Sequence, residues 1–194
     1  MNQNEQNKEM TAQESLSLIS EMLNNSRRII LQNNAKHFML WGILLTVTSL
    51  VIYELWHITG SPVWNCAWFA MPALGFPIVR ILDRKNTDVP QNVINKQLGL
   101  IWLTYCIFLV SISVIAMLAV PMNISLVIVV LLGFAESISG FLLKNWAITL
   151  GGFILGIGGA VFASMVHNEA QLLIFTFGGI ILVVTGLIIK FQYK

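Results

Sequence analysis

The chain has 194 residues, 56% of them hydrophobic and only 10% charged, with a formal net charge of +2. Soluble domains carry roughly 25% charged residues, so a mean hydropathy of +0.76 excludes an ordinary soluble fold and implies an integral membrane protein, built as one all-α domain. The basic residues form no stripe and no nucleic-acid motif is present, so no nucleic acid is expected as a partner.

Residues 1–10 are Asn, Gln, Glu and Lys with almost nothing apolar, the composition of a disordered tail. Thr11 and Glu14 match a capping box, in which a hydroxyl and a carboxylate satisfy free amides at a helix start. Leu16, Ile19, Met22, Leu23 and Ile30 then gather on one side, with Glu14, Glu21, Asn24, Arg28 and Asn34 mostly elsewhere. The pattern predicts an amphipathic interfacial helix over 11–35. It lies either on the inner membrane surface or against a partner helix, from a second copy in a homo-oligomer or from a membrane partner protein. Residues 1–37 are too long and too polar for a secretory signal peptide, so the N-terminus is expected to be retained.

Six apolar runs follow, near 38–58, 62–82, 97–120, 122–143, 146–166 and 171–190. Each meets the roughly 17–25 residues needed to cross a lipid bilayer's ~30 Å hydrocarbon core. Short linkers make consecutive helices antiparallel neighbours. The exception is 83–96, a polar loop with Asp83, Arg84, Lys85, Val89 and Pro90. Placing the N-terminus in the cytoplasm puts all 11 Lys and Arg on that side. The positive-inside rule therefore predicts a multi-pass protein with both termini cytoplasmic. Trp56, Trp64 and Trp68 fit an outer aromatic belt, and Trp41, Trp102 and Trp146 an inner one.

Within 122–143, Glu136 is the one acidic residue deep in any apolar run. Gly133, Ser137 and Gly140 fall at i, i+4 and i+7 and share a helical face that admits a close neighbour. Glu136 and Ser139 belong to the same polar site. A carboxylate costs about 3 kcal/mol to insert, and the Leu, Ile, Val and Phe around it return about 0.3–0.6 kcal/mol each. An intramembrane acid is a candidate functional group. It reads as a proton- or cation-binding carboxylate, or as a hydrogen-bonded strut between helices. Arg80 is the nearest basic residue in depth, about 7–8 Å away along the axis at 1.5 Å per residue. A Glu136–Arg80 pair is expected if both side chains reach; otherwise a protonated Glu136 donates to a carbonyl or hydroxyl, such as one freed by Pro72 or Pro77.

The second run carries Pro72, Gly75 and Pro77. Interior prolines remove donors and crowd the preceding turn, so its cytoplasmic half is predicted to be kinked or unwound. The kink serves packing, or it lines a cavity. The fifth run holds Gly151, Gly152, Gly156, Gly158 and Gly159, with Gly152, Gly156, Gly159 and Ala163 forming a small-residue ridge. The sixth offers Gly179 and Gly186. Runs four, five and six are therefore expected to pack backbone against backbone. No strand and no Gly-Lys-Ser/Thr accompanies these glycines, so they are not a phosphate loop. Gly42, Thr46 and Ser49 loosely echo Gly133, Ser137 and Gly140, which would make the two halves an inverted repeat.

Phe38-Met39-Leu40-Trp41-Gly42, Trp68 with Pro72, the stretch 133–143 and the pair Gly151-Gly152 together resemble an uncharacterised family of small bacterial multi-pass membrane proteins. The likeness covers most of the chain. It implies a bacterial inner-membrane location and a shared six-helix fold, and it carries over no catalytic residue.

Glu54, His57, Cys66, His167 and Glu169 fall at the outer surface, where two histidines and two carboxylates could hold a transition metal if runs one and five were neighbours. No ligand spacing supports that, and no metal or cofactor is expected. Cys66 and Cys106 belong at different depths, so no disulfide is expected between them. No His-Glu-x-x-His, Gly-x-Ser-x-Gly or paired aspartates occur, and Ser164 with His167 lacks a third group. No enzyme is expected. Two functions remain: a small transporter or channel-like protein using Glu136, and a non-catalytic scaffold or regulatory subunit binding a partner through the N-terminal helix.

Overall fold

The structure, a computed structural model, describes residues 12–84, 93–118 and 122–193. The disordered-tail reading of 1–10, the capping residue Thr11 and the loop residues 85–92 lie outside the described residues. What is described is all-α, with no strand, and six of its helical stretches are long and apolar enough to cross a membrane.

The first helix, α1, runs unbroken from Ala12–Thr59, 48 residues and about 72 Å of rod at 1.5 Å per residue. The sequence reading divided this segment at 36–37 into an interfacial helix and a membrane span. The division is absent because nothing there breaks a helix: residues 33–40 contain neither Gly nor Pro. Its first turns leave Leu16, Leu18, Ile19, Met22 and Leu23 exposed, whereas Ile30, Leu31 and Ala35 are buried.

The second run has two conformations. Pro62–Phe69 is a 3-10 helix and Ala70–Asp83 is α2. The kink expected in the half around Pro77 is displaced to the preceding half. Pro72 has no N–H for the carbonyl of Trp68, and its ring crowds that carbonyl, so the α ladder stops just before it. Pro77 is accommodated inside α2. Gly75 takes the edge of the Trp41 indole, 2.5 Å from where a Cβ would lie, and so seats α2 on α1.

Val93–Leu118 forms α3 and Ile124–Leu143 forms α4. The described part of α3 is already helical at Val93, ahead of the start at 97 read from the sequence. The fifth run is composite: α5 spans Trp146–Phe153, a π-helical turn Ile154–Gly158, and α6 spans Gly159–Met165. A 3-10 turn, Asn168–Gln171, leads into α7, Leu172–Gln192.

Two antiparallel zippers organise these helices. The first folds α4 onto α5 through a two-residue corner. Lys144 adopts a left-handed conformation, φ 52°, the usual helix-ending geometry. Asn145 then caps α5, its side chain accepting from the amides of Ala147 and Ile148 at 3.1 and 3.2 Å. From that corner Gly140 meets Thr149, Ser137 meets Gly152, and Gly133 meets Gly156, so closely that a Cβ on Gly133 would fall on the Gly156 backbone.

The second zipper joins the first helix to the last. Ser49 meets Thr176, with hydroxyls 2.9 Å apart. Further along, Gly179 lies against Thr46, Gly42 against Val183, and Gly186 against Met39. Gly179 and Gly186 were expected to face runs four and five; they serve α1 instead. The ridge of run five is likewise divided. Gly152 and Gly156 face α4, whereas a Cβ on Gly159 would meet Val129 and Ile174, so this glycine also touches α7.

One end of the bundle gathers the described basic residues. There Arg27 Nε donates to the carbonyl of Leu142 (3.2 Å), Gln32 Nε2 to that of Tyr193 (2.7 Å) and Lys36 Nζ to that of Leu82 (3.2 Å). Asp83 meets His37 at 2.8 Å and Lys36 at 3.7 Å. Residues 27–37 of α1 thus hold the ends of α2, α4 and α7. At the opposite end His57 stacks on Tyr53 and lies 3.2 Å from Glu169.

Candidate functional site

Glu136 projects from α4 between α5 and α7 and has no exposed surface. Its two neighbours are small or polar. A Cβ placed on Gly151 of α5 would lie 3.0 Å from Glu136 Oε1 and 2.9 Å from Thr185 Oγ1 of α7. The bare backbone of Gly151 is therefore what lets both oxygens approach the same spot. Neither carboxylate oxygen of Glu136 has a hydrogen-bond partner among the described residues. A buried polar group left unmade costs about 1–3 kcal/mol, and more when charged.

Above and below, the site is bounded by apolar layers. Toward the basic end, Leu143, Ile148 and Ile189 pack with Ile30, Leu31, Ala35, Ile94 and Leu98. Toward the other end, Val129, Leu132, Leu155 and Leu182 pack with Leu45, Ile174 and Phe175. Along α4, α5 and α7 alike, the Glu136 level falls between the two. The carboxyl group is closed off in both directions.

The serines flanking Glu136 do not serve it. Ser139 Oγ donates to the carbonyl of Ala135 (2.7 Å), within its own helix. Ser137 Oγ donates to the carbonyl of Thr149 across the zipper (3.4 Å). Ser139 follows the habit of helical serines to bond a carbonyl one turn back, whereas Ser137 bonds across to α5. Arg80 is exposed at the end of α2 and forms no ion pair with Glu136. The expected Glu136–Arg80 pair is therefore absent. The depth estimate was axial only, and α2 is seated on α1 through Gly75, turning Arg80 out of the bundle. The alternative acceptor, a carbonyl freed by Pro72 or Pro77, does not partner Glu136 either.

Two site residues escaped the sequence reading. Gly151 was noted as one of five glycines and within the pair Gly151-Gly152, never as a neighbour of Glu136, and Thr185 was not singled out. The usable signal was local: Thr185 precedes Gly186 on the ridge that includes Gly179, so a polar group was adjacent to a packing face. At the far end, His57 faces Glu169 in the 3-10 turn that leads into α7. No group of three metal-ligating side chains occurs among the described residues. Cys66 and Cys106 are free and exposed. No protein-family model, curated protein or solved structure matches the chain.

Proposed function

We propose that the protein is a multi-pass membrane carrier that binds one monovalent cation, a proton or a metal ion, at Glu136 while the site is closed to both sides. The observation that carries this reading is the state of Glu136: fully buried between two apolar layers, with both oxygens unpartnered. An isolated carboxylate in such surroundings is expensive, and a positively charged occupant removes that cost. A structural strut would instead have its oxygens satisfied by protein groups. The resemblance noted above and the gathering of Arg27, Arg28, Lys36, Arg80, Arg84, Lys96, Lys144 and Lys190 at one end support a bacterial inner membrane with that end cytoplasmic.

Proteoliposome flux of protons, sodium and potassium, compared between wild type and Glu136→Gln, tests the reading. Loss of flux of one ion in the variant is expected; equal flux of every ion in both would overturn it. Orientation is tested by cysteine labelling of intact cells after replacing Cys66 and Cys106. Probes at 59 and 168 should react from outside, and one at 84 should not.

A second reading rests on a different observation. The exposed Leu16, Leu18, Ile19, Met22 and Leu23 sit on a rod continuous with the first membrane-length segment. In a scaffold or regulatory subunit this face would receive a partner helix, from a membrane partner protein or a second copy.

A further inference from the structure

We infer that the occupant of the Glu136 site is a proton and that Thr185 is its second partner, the carboxyl group and the hydroxyl both facing the bare backbone of Gly151. This deepens the carrier reading and rests on it. The geometry is that of two oxygens, Glu136 Oε1 and Thr185 Oγ1, each about one contact distance from the point a Gly151 side chain would fill. One oxygen belongs to a fully buried carboxyl group without a partner. The other belongs to a buried hydroxyl on the facing helix.

The number of oxygens selects the ligand. A dehydrated metal cation needs a shell of several oxygens, as hard cations do. The side-chain oxygens that converge on the Gly151 backbone are Oε1 of Glu136 and Oγ1 of Thr185, while Ser137 and Ser139 give their hydrogens to backbone carbonyls. A proton needs one carboxylate oxygen and one neighbour. A hydroxyl is the neighbour that suits both states of such a site, being donor and acceptor at once. It accepts from the carboxylic acid when the proton is bound, and it donates to the carboxylate when the proton has left. The step is a proton transfer alone: the O–H bond of the acid breaks, its electron pair stays on Glu136, and the proton forms a new O–H bond with a water molecule on the side to which the site opens.

No fixed charge competes. Apart from Glu136, the segments Ile124–Leu143, Trp146–Met165 and Leu172–Ile189 contain no Asp, Glu, Lys, Arg or His. Over the Gly151 backbone the side chains that accompany Glu136 are Thr185 and Ile181 of α7. From α3, which packs beside α4, Tyr105 joins the far apolar layer and Cys106 is exposed.

The test uses the full chain in phosphatidylethanolamine–phosphatidylglycerol vesicles, read by infrared difference spectroscopy and by proton uptake with a trapped pH dye. Wild type should show a carboxylic-acid carbonyl band at neutral pH that is lost in Glu136→Gln and indifferent to sodium or potassium. Thr185→Val should shift that band toward the unbonded position and slow proton uptake about tenfold, the loss of one hydrogen bond to a charged group. Thr185→Ser should restore both. If Thr185→Val does not fold, Thr185→Cys, a weaker donor and acceptor, should give an intermediate shift. Three results overturn the inference: no acid band in wild type, a band abolished by sodium, or a band unmoved by Thr185→Val or Thr185→Cys. Abolition by sodium would leave the carrier reading standing with a metal ion as its cargo. Unchanged flux of every ion in Glu136→Gln would remove the carrier reading itself.

Discussion

α3 and α4 are neighbours in the chain and both are long and apolar enough to cross a membrane, yet they are used in opposite ways. Half of the apolar window of α4 is buried inside the protein, and none of that of α3 is. α3 touches the core at its start, through Ile94 and Leu98, and leaves Leu103, Ile107, Phe108, Val110 and Val114 exposed. α4 buries Gly133, Ala135, Glu136, Ser137, Ser139 and Gly140 in succession. Apolarity decides that a helix can enter a membrane. Small residues in register decide whether it builds the interior, because without a hydrophobic drive between helices close packing must hold them together. The candidate site lies where α4, α5 and α7 meet at glycine distance, and α2 and α3 stand outside it.

The contrast is broken most severely by adding bulk to the same residue type in the two helices. Gly133→Leu would place a side chain on the Gly156 backbone. Overpacking typically costs about 1–3 kcal/mol, and here the obstacle is main chain, so the variant should lose its cooperative melting transition in detergent. Gly99→Leu in α3 meets nothing within 4 Å and should leave Tm unchanged. Equal effects at the two positions would mean that the α4–α5 zipper is not what holds the bundle.

The next effect has the opposite sign. Glu136→Leu replaces an unpartnered carboxyl group by an apolar side chain of similar size between two apolar layers. It should raise stability by about 1–3 kcal/mol while abolishing ion flux. A lower Tm would show that the contact with Thr185 holds α4 to α7 by more than the buried acid costs.

Smaller changes belong to the periphery. Asp83→Asn removes the charge facing His37 and Lys36 at the junction of α1 and α2. The groups are partly exposed, so a loss of about 0.5 kcal/mol is expected in chemical denaturation. Arg80→Ala should be the smallest, within about 0.5 kcal/mol of wild type, with no rescue by Glu136→Gln. A severe loss would restore the ion pair that the geometry removes.

The six apolar runs were legible because their length and composition are set by the solvent they are built for. That α4 and α5 pair was legible too, since a two-residue corner leaves little choice of partner. The α1–α7 register was not: Gly179 and Gly186 announce a close neighbour without saying which, and that neighbour comes from the other end of the chain. Glu136 stood out by its charge. Its surroundings did not, because depth along a helix can be counted from sequence whereas the direction a side chain faces depends on which helices pack beside it. The continuity of α1 was hidden by a change of composition near residue 36, which alters the environment of a helix without interrupting it.

The π turn at Ile154–Gly158 has a consequence for how the fifth run tolerates change in length. A π turn accommodates one residue more than the α ladder around it, which advances the phase of everything beyond by about 100°. That offset aims Gly159 toward Val129 and Ile174 and leaves Ala163 buried, after Gly152 and Gly156 have already met α4. The turn acts as a vernier between two scales, one set by the corner at Lys144 and the other by the contact with α7. Excising Ile157, which is exposed, would let the ladder close as a plain α-helix and would rotate α6 off its partners. Substituting the same residue would leave the phase untouched. In this run it is the count of residues, more than their identity, that the two interfaces read.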